Sequence, residues 1–159
     1  MIKLYKSVDG NVYYWETWEE DKKSSTVHWG KLGTTGESEL LKTDRNASVT
    51  AKVQQLLDEK RQNGYNEIAF EDHYTLLIEY KVEGMGTKAD VAKRHELEDR
   101  MNETLGWTGL GHCDGGSIGS GTMEVCCFVV DFELAKRIIE EDLRNTKFSD
   151  YTRIYDENE

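Results

Sequence analysis

The sequence predicts an α+β chain of two small domains. An antiparallel β meander with one packed helix occupies residues 1–70, and a β-α-β-β-α-β unit occupies residues 73–159. Three observations predict this. Short apolar and aromatic runs separated by Gly, Asn and Asp turn signals fill the first forty or so positions. Later stretches carry their apolar residues at helical spacing instead. Glu71-Asp72 then leads into a fresh strand pattern, which marks a boundary near residue 70.

Met1 to Tyr5 alternates Ile2 and Leu4 with polar residues and reads as a strand. Asp9-Gly10 is a hairpin signal. Val12 to Trp18 follows as an aromatic strand, Thr26 to Leu32 as a third and Ser38 to Lys42 as a fourth, with Thr34-Thr35-Gly36-Glu37 as a turn. Asn46 or Ser48 caps a helix. Its Val49, Val53, Leu56 and Leu57 form one stripe facing the sheet, and Asn63-Gly64 stops it.

In the second domain Leu76, Ile78, Tyr80 and Val82 share one strand face. A helix over Lys88 to Leu105 carries Leu97, Met101 and Leu105 on one stripe. Trp107 to Ser117 reads as a strand entering a glycine-rich turn. Thr122 to Asp131 is a continuous apolar run, which predicts a central strand. Phe132 to Leu143 is a helix with Ala135, Ile138, Ile139 and Leu143 inward, and Tyr151 to Tyr155 is the last strand. This order is the split-βαβ, ferredoxin-like arrangement, with both helices on one face of a four-stranded sheet.

The net charge is -11. Residues 1–72 hold ten Lys/Arg against thirteen Asp/Glu, and the remainder ten against eighteen, so the acidity concentrates in the second domain. An acidic whole argues against non-specific nucleic-acid binding, which rests on phosphate neutralisation, but leaves room for a local basic face. Cys113, Cys126 and Cys127 give no disulfide framework, and Cys126 and Cys127 point to opposite faces of a strand. With no signal-peptide or membrane-spanning run, the expectation is a soluble, cytoplasmic protein without membrane association.

The most informative segment is His28-Trp29-Gly30-Lys31-Leu32-Gly33. Alternation puts Val27, Trp29 and Lys31 on one face and His28, Gly30 and Leu32 on the other. An aromatic ring beside a cation suits a nucleic-acid end: the ring packs on sugar or base while the ammonium meets phosphate. Gly30 between them allows close approach of a ligand or another chain. The competing reading has Trp29 in the core with Lys31 lying along it. Lys42, Arg45 and Lys52 are further candidates for a basic edge, or solvated charges.

The segments Asn11-Val12-Tyr13-Tyr14-Trp15, His28 to Gly33, Gly36 and Glu59-Lys60-Arg61-Gln62-Asn63-Gly64-Tyr65 together resemble the WGR domain over about residues 1–70. Such domains occur in poly(ADP-ribose) polymerases and in stand-alone bacterial proteins. In the polymerases they contact DNA ends, with the motif Trp and Arg near the 5′ end. The resemblance implies that role for Trp29 and Lys31. Here Lys31 replaces the family's Arg, keeping the charge and losing the planar fork. The second domain is far too short for a polymerase catalytic domain. It is similar to small ferredoxin-like domains of bacterial proteins with glycine-rich hairpins.

Asp114 to Gly121 is glycine-rich, yet a strand rather than a helix follows it and the P-loop lysine is missing, so a hairpin is expected. His112 and Cys113 are neighbours on a strand and cannot activate each other. Glu96 to Arg100 reads as a solvated helix face with local ion pairs, and His73 and His95 as surface positions. No cofactor or metal site is expected. The sequence therefore points to a non-enzymatic adaptor that binds DNA or RNA ends through Trp29, Gly30, Lys31, Lys42 and Arg45. The alternative is a module that docks a protein partner without nucleic acid, and a third reading is a small enzyme using the loop around Asp114.

Overall fold

The computed structural model describes residues 1–43 and 48–159. Arg45 and Asn46, read above as a basic-edge residue and a helix cap, lie outside the described residues. The chain forms two compact units, Met1–Ala69 and Phe70–Glu159. Each has its own four-stranded antiparallel sheet, with three α-helices among the described residues in all.

The first unit is a meander of β1 (Ile2–Val8), β2 (Asn11–Asp21), β3 (Ser24–Lys31) and β4 (Glu37–Lys42), in spatial order β1-β2-β3-β4. The β1–β2 turn is Asp9-Gly10, with φ of 50° and 81°, the two positive values that a twisted two-residue hairpin requires. Helix α1 (Val49–Gln62) lays its stripe on the sheet. Leu57 joins Leu4, Trp15 and Val27 in the buried core, with Val53 and Leu56 half-buried against it. The helix ends in a Schellman motif: Tyr65 N–H donates to the Lys60 carbonyl at 3.0 Å and Gly64 N–H to that of Arg61 at 3.1 Å, with Gly64 at φ +95°. Ser48 is the N-cap by backbone position but makes no side-chain cap bond.

The second unit runs β5 (Tyr74–Lys81), α2 (Lys88–Trp107), β6 (Gly111–Gly119), β7 (Thr122–Val129), α3 (Phe132–Leu143) and β8 (Arg153–Asp156). Its sheet order is β6-β7-β5-β8, every neighbouring pair antiparallel, which is the split-βαβ topology. β7 is central, as its apolar run predicts. α2 packs over β6 and β7, and α3 over β5 and β8. The stripes Leu97, Met101, Leu105 and Ala135, Ile139, Leu143 are fully buried. α2 starts with a capping box between Thr87 and Asp90, and α3 with Asp131 accepting from Leu134 N–H at 3.0 Å. No described helix is long and apolar enough to cross a membrane.

One expectation changes: Trp107 belongs to the last turn of α2 and does not open a strand, which starts at Gly111. The glycine-rich stretch forms the expected hairpin, with β6 running two residues past Ser117 to Gly119, absorbing a β-bulge between Cys113 and Gly116, and turning at Ser120-Gly121. A bulge accommodates Gly115, at φ +85°, a conformation other residues resist.

Candidate nucleic-acid interface

Strand register builds one face of the first sheet in two rows. Leu4, Trp15, Trp29 and Glu37 are successive partners across β1 to β4, and Lys6, Tyr13 and Lys31 form the adjacent row across β1 to β3. The first row is core at its β1–β2 side, with Leu4 and Trp15 buried, and opens at Trp29, which is half-buried. Trp29 thus packs on the core through part of its ring and keeps part of it exposed. Lys31 is exposed. With strands about 4.8 Å apart, the Lys6 and Lys31 backbones stand about 10 Å from one another with the Tyr13 ring between.

The C-terminal end of α1 completes this corner. The Schellman turn delivers Tyr65 next to β1, where Asn66 bridges to Tyr5 by two backbone hydrogen bonds of 2.8 and 2.9 Å. Lys60 Nζ lies 5.1 Å from the Tyr65 ring centre and Lys6 Nζ 5.9 Å, both within cation–π range. Burial and the neighbouring Tyr13 hydroxyl raise the Tyr65 pKa above its ordinary value, so the ring is neutral at physiological pH. The result is an aromatic-cationic corner of Lys6, Tyr13, Trp29, Lys31, Lys60 and Tyr65. Lys6, Tyr13, Lys60 and Tyr65 are not among the residues singled out from sequence as a site, although Tyr13, Lys60 and Tyr65 stand in segments that carry the family resemblance. Glu37 and Glu39, both exposed on β4, bound the corner with negative charge.

The opposite face of the sheet explains the glycines. His28 is 1% exposed, and its Nδ1 lies 2.7 Å from Glu16 Oε1 while its Nε2 lies 2.6 Å from the Thr35 carbonyl. A carbonyl only accepts, so Nε2 carries a proton. Tyr14, also buried, donates its hydroxyl to the Thr34 carbonyl at 2.7 Å and touches His28 Nε2 at 3.3 Å. Burial and the Glu16 charge push the Tyr14 pKa up to about 12. These bonds hold the turn after β3 down on the sheet. A Cβ added to Gly30 would come within 2.8 Å of Gly36 Cα. The close approach expected at Gly30 is therefore taken by the chain's own turn, and Gly30 shapes the site without facing a ligand.

Lys42 does not join this corner. It pairs with Ser24, at the other end of β3 from Lys31 and on the opposite face of the sheet from Trp29. Its carbonyl accepts from Lys52 Nζ at 3.3 Å, so Lys52 also belongs to that remote end. In the second unit His112 is exposed and Cys113 buried, on opposite faces as alternation requires. The Glu96–Arg100 face makes ion pairs: Glu96 with Lys147, Glu98 with Arg94 at 3.3 Å, Arg100 with Asp142 at 2.8 Å. No group of three or more His, Cys, Asp or Glu residues that could hold a metal ion occurs among the described residues.

The WGR domain model matches residues 4–72. No curated protein and no solved structure matches the chain. WGR is a nucleic-acid-binding type of domain, compatible with a binding role. The first unit of this chain is a WGR domain.

Proposed function

We propose that the protein is a non-enzymatic adaptor whose WGR domain binds a free end of a DNA or RNA strand at the corner of Trp29 and Lys31. The observation that carries this reading is the cross-strand row Lys6–Tyr13–Lys31 beside a half-exposed Trp29. Trp29 and Tyr13 offer ring faces for a sugar or base, and Lys6, Lys31 and Lys60 offer ammonium groups for two or three phosphates. The acidic balance of the whole chain opposes wrapping along a duplex. A compact corner bounded by Glu37 and Glu39 fits a strand terminus better than an extended track.

The test is a fluorescence-anisotropy titration of the full chain with a duplex carrying a 5′-phosphorylated end, against a closed hairpin-capped duplex, over a salt series. Binding that prefers the open end, weakens with salt and falls at least about tenfold on Trp29→Ala supports the reading, a loss of about 1.4 kcal/mol. Equal affinity for the capped duplex, or no binding at low salt, overturns it.

A further inference from the structure

We propose that Cys113 and Cys127 in the second unit form a redox pair, closing to a disulfide between β6 and β7 when hydrogen peroxide reaches Cys113. The two residues are direct partners in the β6–β7 register. They occupy a non-hydrogen-bonded position of the ladder. Val130 N–H donates to the Leu110 carbonyl at 2.9 Å, which fixes the hydrogen-bonded positions as 110/130 and every second pair from there. Cys113 N–H accordingly turns away from its strand partner and donates to Asn102 Oδ1 at 2.9 Å. At such positions opposite Cα atoms stand about 4.5 Å apart, inside the range of about 4.4–6.8 Å that disulfides span. The Cys113 thiol donates to the Gly115 carbonyl inside the bulge at 3.7 Å.

The partners are unequal in a way that assigns roles. Cys127 is fully buried, while Cys113 keeps 8% exposure beside the bulge. The adjacent Cys127 thiol lowers the Cys113 pKa, while the Cys127 thiol's own pKa stands well above the ordinary value. Cys126 lies on the other face, where burial and nearby carboxylates push its thiol to about 11. Cys113 is thus the attacking sulfur and Cys127 the resolving one.

The chemistry balances in two steps. The Cys113 thiolate attacks one peroxide oxygen, the O–O bond breaks, and the departing hydroxide takes a proton and leaves as water. Cys113 is then a sulfenic acid. Cys127 sulfur attacks that sulfur, the S–O bond breaks, the S–S bond forms, and the Cys127 proton leaves with the hydroxide as a second water. Two thiols give up two electrons to one peroxide.

The experiment uses the reduced full chain exposed to hydrogen peroxide, then denatured and labelled with N-ethylmaleimide. Trypsin leaves all three cysteines in one peptide, Met101–Lys136, and a further cut before Asp114 separates Cys113 from the other two. The expected result is a link between those fragments that only a reductant releases, with the label on Cys126 alone. The Cys126→Ser variant should give the same link, and Cys127→Ser should stop at a dimedone-reactive Cys113 sulfenic acid. Three labelled cysteines after peroxide, a link through Cys126, or a Cys113 sulfinic acid beside a labelled Cys127 overturns the proposal. The wild-type measurement stands even if a variant fails to fold.

Discussion

Gly30 and Gly36 lie against each other, so close that a Cβ on Gly30 would sit 2.8 Å from the Gly36 Cα and 3.0 Å from the Tyr14 hydroxyl oxygen. Gly36 is at φ +60°, and a Cβ there would fall 2.1 Å from the Trp29 carbonyl oxygen. The two glycines let the turn fold back onto β3, which brings the Thr34 and Thr35 carbonyls to Tyr14 and His28. Gly30→Ala is expected to cost about 1–3 kcal/mol, the range for overpacking a filled site. Gly36→Ala should cost more, because backbone strain adds to the clash. Urea unfolding followed by tryptophan fluorescence checks this in the right unit, since Trp15, Trp18 and Trp29 lie there and only Trp107 lies in the other.

The Glu16–His28 pair is nearly sealed from water, with side-chain exposures of 5% and 1%. Removing one member takes a buried hydrogen bond from the other, while His28 keeps the Thr35 carbonyl and Glu16 keeps Lys3 at 3.8 Å. Glu16→Ala and His28→Ala are each expected to destabilise the WGR unit by about 1–3 kcal/mol. The double variant should cost clearly less than their sum, because the second change relieves what the first exposes. Additive losses would mean that the two side chains do not depend on one another.

Alkaline pH tests Tyr14. Its folded pKa of about 12 exceeds that of an unfolded tyrosine, about 10, so folding favours the neutral phenol. The stability this contributes is fully present below pH of about 10 and is lost as pH rises toward 12. Burial raises Tyr5 in the same direction. Tyr14→Phe should lower stability at neutral pH, through the lost bond to Thr34, and should weaken the decline above pH of about 10. A wild-type stability that stays level across that window contradicts this account.

For binding, Lys6→Ala and Lys60→Ala should each reduce affinity and shrink the salt slope by about 1, as expected for a phosphate contact. Lys42→Ala should change neither, because it lies at the far end of β3 on the other face. An effect at Lys42 equal to that at Lys6 would move the interface elsewhere.

Local pattern made much of the fold legible. The span of α3 and the stripes of α2 and α3 follow from side chains three and four positions apart, which helical geometry must bring together. The central place of β7 follows from an apolar run too long for a half-exposed strand. The last two residues of β6, Ile118 and Gly119, were not legible as strand, because glycine has no strand preference of its own and the cross-strand ladder with β7 holds them there. Of the site, Trp29 and Lys31 were legible because alternation along one strand suffices to pair them. Lys6, Tyr13 and the pair Lys60–Tyr65 reach the same corner through cross-strand register and a helix-terminating turn, contacts that no short window contains. The same holds for Glu16, which meets His28 only across β2 and β3.

The row Lys6–Tyr13–Lys31 draws one residue from each of three strands. A slip of one position in β1 would turn Lys6 to the far face and dismantle it. An unfolded chain, acidic over the same residues, offers no such cluster. A ligand that needs the row therefore binds only the folded, correctly registered sheet, and mass action makes it a stabiliser. At a free concentration one hundred times Kd it would add about 2.7 kcal/mol to the stability of the WGR unit. Occupancy can then be read as a rise in that unit's melting temperature, from the folding equilibrium alone.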